Sequence, residues 1–324
     1  MTILKQRETE LILRAARLYY EEHQSQDQVA SLMGTSRSNI SRMLSDAKRL
    51  GYVEIRVVAP ITRNETLSSQ LQNLLGVKEV QVITTDKNEL TFSAVGRAAA
   101  NTLVNSLSNN QTIAISWGRG LEATVINVRN ESFSGLKVTQ LMGSLSSVTT
   151  SASAEEVGRR LAKNLNAQFI PFLAPVVVSN SKTRDSMLEE ESIAKTLKIA
   201  RGADIALIGI GSRTSSSSEM VFSEFKLSKA EKDAIYERYA GDVAARFYDI
   251  NGQALNSKMD KCVLGLTLEE MSAIPKVIAV ASGGEKVQGV IGAARSGMID
   301  TLIIDLVCAN SIIKSLAPSA VKSA

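Results

Sequence analysis

Polar and apolar positions follow two different rhythms along this chain. Up to about residue 76 they repeat with the 3.6-residue period of short amphipathic helices; from Glu79 onward short apolar runs alternate with longer helical stretches. In the first part, Leu11, Ile12, Ala15, Ala16, Leu18 and Tyr19 form the apolar stripe of a helix over 9–22. Ser25-Gln-Asp-Gln28 has capping-box spacing and starts a second helix over 27–33. Gly34 makes a tight turn, and a third helix begins at Thr35 or Ser36. Its Ile40, Met43, Leu44 and Ala47 fall on one face, while Arg37, Ser38, Ser41, Arg42 and Ser45 fall on the others. Short polar side chains and arginines on the free faces of the second of two turn-linked helices describe a helix-turn-helix. Gly51 suits the residue that closes the helix, and 52–57 alternates as a short strand carrying Arg56. Residues 60–63 read as a connection, and Asn64 caps a helix reaching Leu75 and closed by Gly76.

The second rhythm predicts strands at 79–84, 112–116, 136–142, 203–210, 277–281 and 301–305. Helices are predicted at 90–107, 154–165, 228–239 and 285–296. Apolar strands alternating with helices imply a parallel sheet covered on both faces, a doubly wound, Rossmann-like α/β domain. No fixed-period repeat is present, and Ser215–Ser218 reads as a polar loop. The division expected is a helix-turn-helix domain at 1–58 and an effector-binding and oligomerisation domain at 59–324.

Composition narrows the class. With 44% hydrophobic and 22% charged residues among 324, the chain has ample core material. No apolar run reaches the ~18 residues of a membrane span, and the first residues have no signal-peptide core, so a cytoplasmic protein is expected. The cysteines, Cys262 and Cys308, stand far apart with no metal-ligand spacing, so no metal or cofactor motif is read. The single histidine is His23, which leaves the large domain without a histidine for acid–base catalysis. The net charge of +4 is uneven: between Ser36 and Arg56 five basic residues face two acidic ones, the footprint of a phosphate-backbone binder. Arg37, Ser38, Asn39 and Arg42 are the candidates for base edges, and Ser36, Arg49 and Arg56 for DNA phosphates.

In a parallel sheet, ligands bind beyond the carboxyl ends of the strands. Three predicted strand ends carry suggestive residues. Ser116-Trp-Gly-Arg119 combines small residues, a helix start and an arginine fork, and Ser282-Gly-Gly-Glu-Lys286 places Lys286 in the first helical turn, where it is unfavourable for the helix dipole. Met142-Gly-Ser144 opens a Ser/Thr-rich loop. Two anion-friendly helix starts on one sheet favour a phosphorylated small molecule. Asp249, in Asp249-Ile-Asn-Gly252, reads either as an acceptor for sugar hydroxyls or as a turn residue, and Asp305 as a strand-terminal cap.

Taken in order, these motifs resemble the SorC/DeoR-type sugar-binding transcriptional regulators of bacteria. The carriers are Ser38-Asn-Ile-Ser-Arg-Met-Leu44, Gly51-Tyr-Val-Glu-Ile55, Ile115-Ser-Trp-Gly-Arg119, Ala203-Asp-Ile-Ala-Leu-Ile-Gly-Ile-Gly211, Gly241-Asp-Val-Ala-Ala-Arg-Phe-Tyr-Asp249 and Gly283-Gly-Glu-Lys286. The resemblance implies an effector domain similar to sugar-phosphate isomerases and deaminases, double-stranded operator DNA as partner, and homo-oligomers, commonly tetramers, that control carbohydrate or polyol catabolism. It implies that Ser116, Gly118, Arg119 and Lys286 surround the effector's phosphate, with Asp249 nearer its hydroxyls, Gly143 and Ser144 in the same cleft, and Gly283 among the effector-binding residues. The sequence departs from the family pattern at Gly120, Ile304 and Leu306. The alternative, a sugar-phosphate isomerase or deaminase with an added N-terminal module, would have to recruit Asp249, Asp305 or Glu285 without a histidine.

Overall fold

The computed structural model describes residues 3–53, 55, 60–85, 91–129, 131–145, 153–255 and 258–317. The chain divides into two compact units, Met1–Pro60 and Ile61–Ala324.

The first unit has three helices, α1 (Ile3–Tyr20), α2 (Gln26–Met33) and α3 (Arg37–Arg49). α1 starts at Ile3, earlier than its apolar stripe requires. Ser25 accepts from the backbone of Gln28, whose side chain accepts from the backbone N–H of Ser25, so both ends of the capping box close. Gly34 takes the left-handed conformation at φ 63°, the turn that sets α3 across α2. Ser36 then caps α3 by accepting from Asn39 N–H. Ile12, Ala15 and Ala16 of α1, Val29 and Ala30 of α2, and Ile40, Leu44 and Ala47 of α3 form one buried core. Of the strand expected at 52–57, Glu54, Arg56 and Val57 lie outside the described residues, and Tyr52, Val53 and Ile55 are not in a strand.

The second unit opens with β1 (Thr62–Arg63), α4 (Glu65–Leu75), β2 (Glu79–Thr84), α5 (Thr91–Asn105), β3 (Thr112–Ile115), α6 (Arg119–Asn127) and β4 (Lys137–Gln140). It continues with α7 (Ala154–Asn164), β5 (Gln168–Ile170), α8 (Ser181–Glu189), α9 (Glu191–Arg201), β6 (Ile205–Gly209), α10 (Ser216–Glu224) and α11 (Lys229–Arg238). A hairpin, β7 (Gly241–Val243) and β8 (Arg246–Tyr248), precedes α12 (Leu268–Ser272), β9 (Lys276–Ala281), α13 (Val287–Arg295), β10 (Thr301–Asp305) and α14 (Leu306–Leu316). Eight strands form one sheet in the order β1-β2-β10-β9-β6-β3-β4-β5. All neighbours are parallel except β1 against β2.

Alternation along the strands divides the core into two layers. Ile113, Ile115, Ile205, Leu207, Ile278 and Val280 face the layer that contains α5, α6 and α7; Ala114, Ala206, Ile208, Val277 and Ala279 face the layer that contains α9, α13 and α14. The chain leaves β3 outward through β4 and β5, then returns to β6 on the other side of β3 and proceeds through β9 to β10. The order therefore reverses between β3 and β6, and the crevice at their carboxyl ends is where a ligand site is expected.

Three elements differ from the sequence expectations. The serines of 215–218 are not a loop: Ser215 is the N-cap of α10 and 216–218 form its first turn, with the Ser215 hydroxyl bonded to the Ser212 backbone and to the Ser218 hydroxyl. Lys286 ends a one-turn 3-10 helix, Gly284–Lys286, and α13 begins at the next residue. The β7–β8 hairpin was not expected, because its two-residue turn is Ala244-Ala245 in place of the Gly or Asn that such turns favour; both alanines have positive φ, 49° and 64°.

Candidate functional site

Beyond the carboxyl ends of β3, β6 and β9 lies an open cleft. From β3 come Trp117, Gly118, Arg119 and Gly120; from β6, Gly209 and Gly211; from β9, Ser282 and Lys286. Ser215 and Ser217 of the α10 start and Asp242 and Ala244 of the β7–β8 hairpin complete it, with Phe92 at the edge. Ser116 does not line the cleft but holds it together. Its buried Oγ accepts from Gly209 N–H at 3.1 Å, joining the ends of β3 and β6 at the point of reversal.

Among the described residues, no hydrogen bond or ion pair engages the cationic side chains of the cleft. Gly118 begins α6 at φ 116°, with open space where a Cβ would stand and no side-chain cap on the helix. The first N–H groups of α6 are thus left to a ligand, and the helix dipole favours an anion there. Arg119 lies over the Phe92 ring, 5.1 Å from its centroid, which orients the guanidinium without consuming its donors. Lys286 is 8% exposed, and its ammonium makes no hydrogen bond or ion pair with the described residues. Burial pushes its pKa down; Asp242 and Glu285 oppose that shift and Arg119 adds to it.

Asp242, 5% exposed, lines the same cleft, near enough to Lys286 for each charge to act on the other. Its Oδ1 accepts from Ser218 Oγ and Tyr239 Oη, each at 2.5 Å, and Ser218 is bonded in turn to Ser215 at 2.6 Å. Ser218 belongs to the first turn of α10, so this helix start serves Asp242 itself. Burial raises the Asp242 carboxyl, while the Ser218 and Tyr239 hydroxyls and Lys286 hold it down. Oδ2 accepts no hydrogen bond from the described residues. The hydroxyls of Ser212 and Ser282, 2% and 4% exposed, also have no partner. A buried hydroxyl without a partner costs about 1–3 kcal/mol; of these two, Ser282 lines the cleft, where a hydroxyl-bearing group would satisfy it.

Of the effector residues expected from sequence, Gly118, Arg119 and Lys286 come together in the cleft. Gly283 lies beside it at φ 100° and donates to Asp305 Oδ2 at 2.9 Å. Asp305 also accepts from Cys308 N–H and so caps α14, the structural role read for it. Gly143 and Ser144 do not line the cleft. Gly143 packs on the Ala174 and Pro175 carbonyls, where a Cβ would come within about 2.5 Å, and Ser144 Oγ accepts from Gln140. Asp249 is also elsewhere: its Oδ1 accepts from Asn251 and Gln253 N–H at 2.9 and 3.0 Å, closing a turn, and Arg238 is 3.6 Å from Oδ2. The carboxylate that lines the cleft is Asp242, in the same motif. The signal that marks it is a lone ionisable residue inside the apolar run Ala240-Gly-Asp-Val-Ala-Ala.

In the helix-turn-helix, Arg37, Ser38, Arg42 and Arg49 are exposed on α3. Arg42 donates to Asn39 Oδ1 at 3.3 Å, and Asn39 donates to Thr35 at 2.9 Å, so this pair is oriented by the helix start. Arg49 is held by Asp46 at 2.6 Å, and Ser36 is engaged as the cap.

Residues 59–314 match the profile of the family described as "Putative sugar-binding domain". The chain belongs to this family. The deoxyribonucleoside regulator of Bacillus subtilis is 28% identical over 95% of this chain and 98% of its own length. The sorbitol operon regulator of Klebsiella pneumoniae is 28% identical over 94% of this chain and 98% of its own. The crystal structure of full-length SorC, the sorbitol operon regulator from Klebsiella pneumoniae, superposes with a TM-score of 0.70 at 27% identity, covering 93% of this chain and 97% of that one. Relatives named as transcriptional regulators thus span both units of this family member. No helix among the described residues is long and apolar enough to cross a membrane.

Proposed function

We propose that this protein is a cytoplasmic, homo-oligomeric, commonly tetrameric, DNA-binding regulator of a carbohydrate or polyol catabolic operon, switched by a phosphorylated sugar or polyol. The observation that carries this reading is the polarity of one cleft. Cationic donors, Arg119, Lys286 and the α6 N-terminus, line it together with partners for hydroxyl groups, Asp242 Oδ2 and Ser282, and none of these side-chain atoms has a hydrogen-bond partner among the described residues. A phosphate joined to a hydroxylated carbon chain matches both. The names of the relatives support the same class of effector and the same output. An isomerase or deaminase needs a positioned base. Here the second unit has no histidine, so that role would fall to a carboxylate such as Asp242, whose turnover of a sugar phosphate the test below would detect.

The test has two arms. A thermal-shift panel of phosphorylated sugars and polyols should contain at least one compound that raises the melting temperature, since a ligand of the folded state stabilises it by mass action. Gel-shift titrations on the protein's own promoter region should then show that compound changing DNA affinity, and Arg42→Ala should weaken DNA binding by about 1–3 kcal/mol. Turnover of the stabilising compound, or unchanged affinity and salt slope in the arginine variant, would contradict the proposal.

A further inference from the structure

Four residues after Asp242, on the partner strand of the same hairpin, Arg246 is 5% exposed and takes no part in the cleft. Its guanidinium donates to four main-chain carbonyls: Nε to Leu266 at 2.9 Å, and the terminal nitrogens to Asp260 at 2.8 Å, Gly265 at 2.9 Å and Val263 at 3.4 Å. The Asp260 carboxylate lies 3.8 Å away. So large a share of donors spent on backbone is explained by what the 262–266 segment does on its other side. Leu264 donates to Val176 and accepts from Gly143, Leu266 donates to Leu141, and Cys262 accepts from Val178. In extended backbone, successive carbonyls point to opposite sides, so those of Val263 and Gly265 turn away from these partners. Arg246 meets these two carbonyls and, at the two ends of the segment, those of Asp260 and Leu266.

The hairpin is thereby tied to the body of the domain. Val243 and Arg246 are paired across the two-residue turn, and Asp242 pairs with Phe247. Phe247 packs among Phe222, Phe225 and Tyr239, and Tyr248 Oη donates to the Gly289 carbonyl at 2.9 Å. The turn itself, Ala244-Ala245, is held in a left-handed conformation that alanine disfavours, so outside contacts must over-determine it.

We propose that Arg246 is a positioning residue for the effector cleft: by clamping the 260–266 carbonyls it fixes the hairpin, and so the depth at which Asp242 and Ala244 face the ligand's hydroxylated part. This rests on the reading of the cleft as a phosphosugar site. It separates two parts of the affinity: the phosphate end depends on Arg119, Lys286 and α6, the hydroxyl end on the hairpin. Lysine cannot replace the fork, because a single ammonium cannot reach carbonyls spread over four donors' directions.

The test uses the full chain with Arg246→Met and Arg246→Lys, two probes (inorganic phosphate and sorbitol 6-phosphate), and the fluorescence of Trp117, the chain's single tryptophan and part of the cleft wall. The expected result for Arg246→Met is phosphate affinity within about twofold of the parent and sorbitol 6-phosphate affinity down about tenfold, as for one lost charge-assisted hydrogen bond. Arg246→Lys should fall between. Equal weakening of both probes, or of neither, would overturn the proposal, since a purely structural role moves both together. Hydrogen exchange without ligand gives a second readout. In Arg246→Met, amides of 241–248, 262–266 and 141–144 should exchange about tenfold faster while those of α5 and α6 are unchanged; unaltered exchange in these segments overturns the clamp. If the parent chain binds neither probe, the effector reading fails and the exchange result alone decides on Arg246.

Discussion

Replacing Lys286 by methionine should make the empty protein more stable and the loaded protein weaker. Lys286 is 8% exposed without a hydrogen bond or ion pair to a described residue, and burial is the largest influence on its lowered pKa. The sign follows from that direction. Well below the lowered folded value the ammonium is charged in both folded and unfolded chains, and the penalty is present in full. It is relieved as pH rises through the folded value and is gone by the ordinary value of 10.5. At neutral pH methionine, of similar length and no charge, removes the penalty. Exchanging a buried charge for an apolar group stabilises by about 1–4 kcal/mol, and the lost countercharge for Asp242 puts the expectation at the low end, about 1 kcal/mol. For a domain of this size that is a rise in Tm of about 2–4 °C. A phosphate-bearing ligand loses a charge-assisted hydrogen bond of about 1.5–3 kcal/mol, or about 10- to 150-fold in affinity. Differential scanning calorimetry and titration calorimetry on the same preparations read both quantities. A fall in Tm with affinity preserved would refute the reasoning, because Lys286 would then be a structural cation.

Asp242→Asn should alter the pH dependence of stability. The folded carboxyl is raised above 3.8, so its charge penalises the fold at neutral pH; the penalty is relieved as pH falls through the folded value and is gone by 3.8. The variant should lack this relief in urea unfolding at a series of pH values, and an identical profile to the parent would contradict the burial argument. Ser36→Ala should cost the helix-turn-helix about 1 kcal/mol through the lost cap of α3, read as faster hydrogen exchange in α3; unchanged exchange would contradict the capping role. Gly118→Ala should weaken phosphate binding by straining the backbone at φ 116°, since nothing stands within 4 Å of the new methyl, and calorimetric affinity equal to the parent's would count against it.

The sequence made some parts of this molecule plain and hid others for identifiable reasons. Helix ends marked by a capping box at Ser25 or by glycine at Gly34, Gly51 and Gly76 were readable because each needs a particular side chain or a positive φ. The central strands were readable because both faces are buried, which leaves near-continuous apolar runs. β1 and β5 escaped notice because two or three residues carry no period. The β7–β8 hairpin escaped because Ala-Ala imitates helix, not turn. That miss propagated to the site. With the hairpin unseen, Asp249 looked like the exposed carboxylate of its motif, whereas the hairpin turns Asp242 into the cleft and leaves Asp249 to close a loop. The cationic half, Gly118, Arg119 and Lys286, was legible because strand-to-helix turns with small residues and a misplaced lysine conflict with plain folding rules. Arg246 left no sequence signal beyond its place in the motif, since its partners are main-chain carbonyls.

The central claim is that the crevice where the strand order reverses holds a phosphorylated sugar or polyol. Because Trp117 is the chain's single tryptophan and lies in that crevice, its fluorescence reports binding there directly. Titration with phosphorylated sugars and polyols, each paired with its unphosphorylated counterpart, should give a saturable change for at least one phosphorylated compound and none for its partner. Equal responses to both members of every pair, or no response to any, would contradict it.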